Sequence, residues 1–128
     1  MKKVFILLLA ISVFSACGSQ QASFSKNIDV KTFKKLVDEH AGKLIDVRTP
    51  QEVAGGYIAG ATNINFMNPD FDSKISKLDK SETYLVYCAS GARSDKAVKK
   101  MKAMGFKRTY NLLGGFMGWR RNGYPAAK

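Results

Sequence analysis

A cysteine between an apolar run and a helical pattern constrains the fold of this chain more than any other feature. The run Thr83–Tyr87 is short and apolar, which is typical of a buried strand. Cys88 follows it, small residues lead to Arg93, and apolar side chains then recur at helical spacing over 94–104. Ligands of open parallel sheets bind at the carboxyl ends of strands, where we expect Cys88 to lie.

Strand-like and helical segments alternate along the rest of the chain. Asp29 is suited to cap a first helix that ends at Gly42, and Thr49 with Glu52 forms the pattern of a capping box. Further helices are predicted over 71–78, 94–104 and, as a short turn, 116–119, and strands over 43–48, 62–65, 83–87 and 108–113. This alternation predicts an α/β domain in which a parallel sheet carries helices on both faces.

The first residues match an export signal. A basic start is followed by thirteen almost wholly apolar residues, 4–16, which are too few for a spanning helix of about 20 residues. Residues 14–17 resemble a bacterial lipobox at every position except Phe14, where leucine is usual. We therefore predict a signal peptide at 1–16, a lipidated Cys17 with a flexible tether at 17–27, and the folded domain at 28–128.

This prediction places the protein outside the cytoplasm, anchored by lipid to a bacterial cell membrane at its periplasmic or extracellular face. The alternatives are a cleaved signal that leaves Cys17 as a plain thiol, and an uncleaved anchor. If Cys17 carries lipid, Cys88 is the one remaining thiol, and an internal disulfide is impossible.

The chain is strongly basic. Without Lys2 and Lys3, 19 basic residues stand against 10 acidic ones, a net charge of about +9. The lysines are spread over several predicted helical faces without interleaved aromatic residues, a pattern that favours solvated faces near an anionic membrane over nucleic-acid binding. We expect a monomer without a nucleic-acid partner.

The loop after Cys88 is suited to hold an anion. Gly91 allows a backbone conformation with positive φ, so successive N–H groups can converge into a nest, and the following helix adds its positive end. Arg93 adds a fixed charge at the rim. These features lower the pKa of a thiol without a histidine. His40, the only histidine, is predicted in the last turn of the first helix, where a structural role is expected.

The length of the loop separates two chemistries. Cysteine phosphatases place five residues between cysteine and arginine, so that the loop rings a phosphate. Here four residues intervene and Ser94 occupies the sixth place. The tighter ring favours one extra sulfur atom on Cys88, and makes a phosphatase or arsenate reductase the weaker alternative.

Four motifs in order resemble those of a single-domain rhodanese, a sulfurtransferase. They are Asp46-Val47-Arg48 with Glu52, then Gly56–Ile64, then Cys88–Ser94, and finally Leu113–Trp119 with Gly123 and Pro125. The resemblance covers nearly all of residues 28–125. It departs at Tyr57, where the family usually has a histidine of structural role.

The resemblance implies a rhodanese-like three-layer fold and a double displacement. Cys88 would take sulfane sulfur from a thiosulfate- or polysulfide-like anion as a persulfide, and then pass it to cyanide, a thiol or a thiol protein. The substrate loop would be Ala89, Ser90, Gly91, Ala92 and Arg93, with no cofactor and no metal.

The resemblance also assigns supporting roles. Arg93 is expected to pair with Asp46, and Arg48 either binds the donor or forms a second ion pair. The alternative for Asp46 and Arg48 is a purely structural pairing, and Trp119 is expected to pack in the core. Thiosulfate-using members often carry a cation inside the loop, whereas Ala89, Ser90 and Ala92 are neutral, so another donor is favoured. The alternative function is a sulfur-relay or protein-interaction module without turnover.

Overall fold

A computed structural model describes residues 23–128 of the chain. The strands and helices alternate as the sequence predicts. In chain order they are β1 (Phe24–Ile28), α1 (Val30–Asp38), β2 (Lys43–Asp46), α2 (Pro50–Ala54), β3 (Thr62–Asn63), α3 (Phe71–Ser76), β4 (Thr83–Tyr87), α4 (Ala92–Ala103), β5 (Arg108–Leu112) and α5 (Gly115–Arg121).

The five strands form one sheet in the order β1-β5-β4-β2-β3, and every neighbouring pair is parallel. β4 therefore lies at the centre of the sheet, and Cys88 follows directly from its carboxyl end. Because all strands point the same way, the residues after β2, β4 and β5 meet at one edge. This carboxyl edge is where the sequence predicts the site.

Two apolar clusters fill the spaces on either side of the sheet. On one face α3 and α4 pack through Ile75, Val98 and Met101. On the other face α1 and α5 pack through Phe33 and Trp119. β4 contributes to both clusters, since successive side chains of a strand point to opposite faces. The three-layer α/β fold predicted from the sequence is thereby confirmed.

Local capping agrees with the sequence pattern. The Asp29 side chain accepts a hydrogen bond from the Thr32 N–H, and Thr49 and Glu52 form a reciprocal capping box on α2. The first helix ends earlier than expected, at Asp38, so the prediction that His40 lies in its last turn is wrong. His40 instead has a φ of 51° in the turn that leads to β2.

The predicted tether is too long at its carboxyl end. Residues 24–27, assigned to the tether, belong to β1, which pairs with β5 from Phe24↔Arg108 to Ile28↔Leu112. The folded domain therefore includes residues 24–27 as well as residues from Ile28 onward. Cys17 and the predicted signal lie outside the described residues. Within 23–128, no helix combines the length and the apolar character that crossing a bilayer requires.

Candidate active site

The thiol of Cys88 lies under the carboxyl edge of the sheet, between the end of β4 and the start of α4. The residue is 0% exposed and belongs to the apolar cluster beneath α4. The neighbouring strand is tied to this point by a hydrogen bond from the Val47 N–H to the Tyr87 carbonyl, at 3.0 Å. A central buried strand thus fixes the position from which Cys88 emerges.

Two hydrogen bonds are directed at the Cys88 sulfur. The Gly91 N–H donates to Sγ at 3.1 Å and the Ser94 hydroxyl donates at 3.3 Å. Gly91 has a φ of 104°, the left-handed region that turns its N–H back toward the cysteine. The loop therefore has the nest geometry that the sequence suggests, and Ser94 adds a side-chain donor from the first turn of α4.

These contacts favour the thiolate. Burial raises the pKa of Cys88, but the hydroxyl and N–H of Ser94 and the N–H groups of Gly91 and Ser90 outweigh burial, so the pKa lies below its ordinary value. The side chains of Ala89, Ser90 and Ala92 are not among the groups that stabilise the thiolate. They are neutral and lie at the rim of the loop. Activation of the thiol needs no histidine, and His40 lies at the opposite edge, beside Lys43 and Arg108.

Arg93 does not pair with Asp46, so that prediction is wrong. Its guanidinium binds both carboxylate oxygens of Glu52, with Nη1–Oε2 at 2.8 Å and Nη2–Oε1 at 2.7 Å. Arg93 lowers the pKa of Glu52 to about 2, and the Thr49 N–H and hydroxyl assist. The same carboxylate therefore caps α2 and anchors the end of the loop 88–93, named here the catalytic loop.

Asp46 instead pairs with Arg48, which resolves the two roles left open for that arginine. Arg48 Nη2 lies 2.7 Å from Asp46 Oδ2 and donates at 2.7 Å to the Gly56 carbonyl. Both side chains are buried, and the guanidinium lies 4.2 Å from the ring centroid of Phe116. Arg48 is thus a structural cation that joins α2, β2 and α5, and it is closed to a donor in solution.

The start of α5 holds the loop from behind, a contact that the sequence pattern did not reveal. The N–H groups of Phe116 and Met117 donate to the carbonyls of Cys88 and Ala89 at 2.8 and 3.0 Å. Gly115 has a φ of 57°, and a Cβ there would lie 2.4 Å from the Ala89 oxygen. The paired glycines at 114–115 predicted a break, but their main role is close approach to the catalytic loop.

A buried carboxamide supports the loop from the side of β5. Asn111 Nδ2 donates to the Gly91 carbonyl at 3.4 Å and to Asn27 Oδ1 on β1 at 3.0 Å. The edge strand is therefore connected to the loop through one side chain. Trp119 packs in the core as predicted, 1% exposed, with its indole N–H on the Pro125 carbonyl.

Exposed apolar side chains flank the loop. Leu113 and Met117 are 49% and 56% exposed, and they stand just before and within α5, beside Gly91 and Ala89. The two arginines around the thiol, Arg48 and Arg93, form ion pairs with Asp46 and Glu52. The mouth of the site is therefore close to neutral and partly apolar.

Comparisons with known proteins agree with this geometry. The family model described as "Rhodanese-like domain" matches residues 29–122. Thiosulfate sulfurtransferase 16 of Arabidopsis thaliana is 36% identical over 93 residues, covering 65% of this chain and 78% of that protein. A sulfurtransferase of Allochromatium vinosum is 35% identical over 92 residues, covering 72% and 84%. A solved rhodanese-related protein of Thermoplasma volcanium superposes with a TM-score of 0.71 at 29% identity, covering 80% of this chain and 97% of its own.

Proposed function

The chain belongs to the rhodanese-like family and is a rhodanese-type sulfurtransferase, and from this premise we propose that it moves sulfane sulfur through a persulfide on Cys88. The observation that carries the proposal is the pair of donors on the thiol, the Gly91 N–H at 3.1 Å and the Ser94 hydroxyl at 3.3 Å. They favour the charged nucleophile inside a buried site, where an unaided thiol would stay protonated.

The reaction proceeds in two displacements at sulfur. The Cys88 thiolate attacks the outer sulfur of the donor, a new S–S bond forms, and the donor's own bond to that sulfur breaks with departure of sulfite or a thiolate. An acceptor thiolate or cyanide then attacks the terminal sulfur and releases the Cys88 thiolate. The N–H groups of the loop, directed at the first sulfur, are placed to hold the second.

The charge at the mouth favours an organic persulfide or polysulfide, which carries one charge, as donor over thiosulfate. Arg93 and Arg48 are both engaged by carboxylates, and the side chains of Ala89, Ser90 and Ala92 carry no charge. A doubly charged donor gains most from unpaired cations, whereas the terminal sulfur of an organic persulfide needs little more than the nest. We expect a small sulfur-containing anion of low charge as the donor.

The apolar rim favours a thiol acceptor, including a thiol protein. Leu113 and Met117 expose large apolar surface beside the loop, and such surface near a reactive group is typical of a docking site. No nucleic-acid partner and no cofactor enter this scheme, and the protein acts as a monomer.

The N-terminal sequence supports an exported, lipid-anchored location. We propose that residues 1–16 are removed and that Cys17 carries the lipid on the outer face of a bacterial cell membrane. Mass spectrometry of the mature protein tests this step. An unmodified N-terminus beyond Cys17 would contradict lipidation without affecting the proposed chemistry.

Intact-mass measurement tests the sulfur chemistry. The purified protein is incubated with a polysulfide, an organic persulfide or thiosulfate, and we expect the mass of one added sulfur atom, lost again on addition of cyanide or a thiol. The matched Cys88→Ser variant should gain nothing. Absence of added sulfur with every donor, or hydrolysis of aryl phosphates by the wild type, would refute the proposal. Repeated turnover with a small acceptor distinguishes an enzyme from a relay module.

A further inference from the structure

We propose that the amino edge of the sheet, opposite the active site, binds an anionic phospholipid membrane and holds Cys88 facing away from it. The surface is named here the basic edge and consists of Lys43, Lys80, Lys107 and Arg108. None of these residues belongs to the site described above.

Three segments bring the four cations together. Lys43 and Arg108 are the first residues of β2 and β5, whose amino ends lie side by side with that of β4. The Lys107 N–H donates to the Lys80 carbonyl at 3.0 Å, which places the turn before β4 against the turn before β5. Lys43, Lys80 and Arg108 are exposed and Lys107 is half-buried. Their charges therefore face solvent from one end of the molecule.

The four cations of the basic edge outnumber the two carboxylates beside them, Glu82 and Asp79. Glu82 lies 3.7 Å from Lys43, and Asp79 is held by hydrogen bonds from Ser81, which lower its pKa along with the charges of Lys43 and Lys107. Lys77 and Lys102, at the ends of α3 and α4, add cations nearby because these helices run back toward the amino edge.

At the opposite edge the starts of the helices carry acidic residues, among them Asp29, Glu52, Asp72 and Asp95. Acidic side chains at helix starts and basic ones at helix ends are each favoured by the helix dipole. Three of these carboxylates pair with cations, Glu52 with Arg93, Asp72 with Lys100 and Asp95 with Lys99, so the charges there offset one another.

The chain enters the domain at the basic edge. Phe24 opens β1, and its N–H donates to the Lys107 carbonyl at 3.0 Å. Cys17 precedes Phe24 by seven residues, a span of at most about 25 Å when extended. A lipid on Cys17, as proposed above, would therefore hold the basic edge near the bilayer, while Cys88 lies farther out by the length of β4, roughly 17 Å.

The cations are sufficient for measurable binding once the edge touches the membrane. Each lysine or arginine near an anionic bilayer contributes about fivefold to the partition coefficient. The Debye length is about 8 Å at physiological salt, so the charges at the contacting face count and those on the far side do not. Removing the basic edge should thus lower partitioning by more than tenfold.

Vesicle binding of the chain from Gly18 to Lys128 tests the proposal without the lipid. Every element described above lies within 24–128, so this chain keeps the entire sheet and both cores. It is mixed with vesicles of phosphatidylcholine alone and of phosphatidylcholine with phosphatidylglycerol, and the bound fraction is measured by sedimentation. The edge variant replaces Lys43, Lys80, Lys107 and Arg108 with glutamine. The control variant replaces Lys31, Lys96, Lys99 and Lys128 with glutamine; these residues are exposed away from the basic edge, and the net charge changes equally.

We expect the protein to bind vesicles that contain phosphatidylglycerol and not vesicles of phosphatidylcholine alone. The partition coefficient should fall more than tenfold in the edge variant and less than threefold in the control variant. Equal losses in both variants, binding to neutral vesicles, or tighter binding to a DNA duplex at the same salt would overturn the proposal. A membrane-impermeant maleimide should alkylate Cys88 equally fast in free and vesicle-bound protein, and protection would overturn the orientation. Persulfide formation should be unchanged in the edge variant, so failure of the sulfurtransferase proposal remains separately visible.

Discussion

Replacing Ser94 with alanine is expected to raise the pKa of Cys88 by about one unit. The Ser94 hydroxyl lies 3.3 Å from Sγ in a site that is closed to water. A hydrogen bond to a charged group contributes about 1.5–3 kcal/mol. The same hydroxyl lies 3.2 Å from the Gly91 carbonyl, so its proton is shared between two acceptors and the lower figure applies. About 1.5 kcal/mol corresponds to roughly one pKa unit.

The direction of the pKa change follows from which form of Cys88 accepts the hydrogen bond more strongly. The thiolate is the stronger acceptor, so losing the donor disfavours the thiolate and raises the pKa. Well below both pKa values the thiolate fraction falls about tenfold, and the rate of persulfide formation should fall with it. At high pH, where both proteins are fully ionised, the two rates should converge.

The pH dependence of alkylation by iodoacetamide measures this shift directly. Ser90→Ala is the matched control, because the Ser90 side chain is exposed and only its N–H assists the thiolate, which alanine retains. A shift below about 0.3 units in Ser94→Ala would show that backbone N–H groups alone set the pKa, and an equal shift in Ser90→Ala would show that the effect is not specific to the Ser94 hydroxyl.

Three further substitutions test the supports of the site by chemical denaturation. Glu52→Gln should lower the free energy of unfolding by about 1–2 kcal/mol at pH 7 after solvent screening. In the folded protein the pKa of Glu52 is depressed from its ordinary value of 4.5 to about 2, so this difference in stability should vanish as the pH falls from 4.5 toward 2. Gly115→Ala should cost about 3 kcal/mol or more from its clash with the catalytic loop, whereas Gly105→Ala, with nothing within 4 Å, should cost about 1–2 kcal/mol from backbone strain. Asp46→Asn should cost about 3 kcal/mol because it leaves the buried Arg48 charge without its carboxylate. Equal costs at the two glycines, a Glu52→Gln deficit that persists at pH 2, or a neutral Asp46→Asn would each contradict the corresponding contact.

The catalytic loop could be predicted from the sequence because its determinants are local. The apolar run before Cys88 specifies the buried strand, Gly91 supplies the positive φ, and the helix that follows begins within the loop itself. A hydrogen bond across three residues needs no knowledge of distant segments. The thiol nest is accordingly where the sequence places it.

The partner of Arg93 could not be predicted, because it depends on how distant elements pack. Glu52 was accounted for as a cap of α2, but a carboxylate has two oxygens and accepts from Thr49 and from Arg93 at once. Asp46 was expected to pair with Arg93, whereas in the structure it pairs with Arg48 two residues away, the structural pairing that the sequence left open as an alternative. The error for Arg93 comes from a long side chain whose direction the pattern does not encode.

The first strand escaped prediction for a different reason. In Phe24–Ile28 only Ile28 is buried, since β1 lies at the edge of the sheet and its other side chains are half-buried or exposed. An edge strand of this kind has no apolar alternation to detect. Its pairing with β5 is a property of the folded sheet rather than of its own residues.

The contact between α5 and the catalytic loop has a consequence for biosynthesis. The carbonyls of Cys88 and Ala89 receive their N–H partners from Phe116 and Met117, and β1 finds its strand partner in β5. The chain is synthesised from its amino end, so Cys88 is made more than twenty residues before the segments that complete its surroundings, Phe116 and Met117 among them. The reactive cysteine is among the last parts of the molecule to be finished, so a chain cut short before α5 carries the thiol without the machinery that makes it useful.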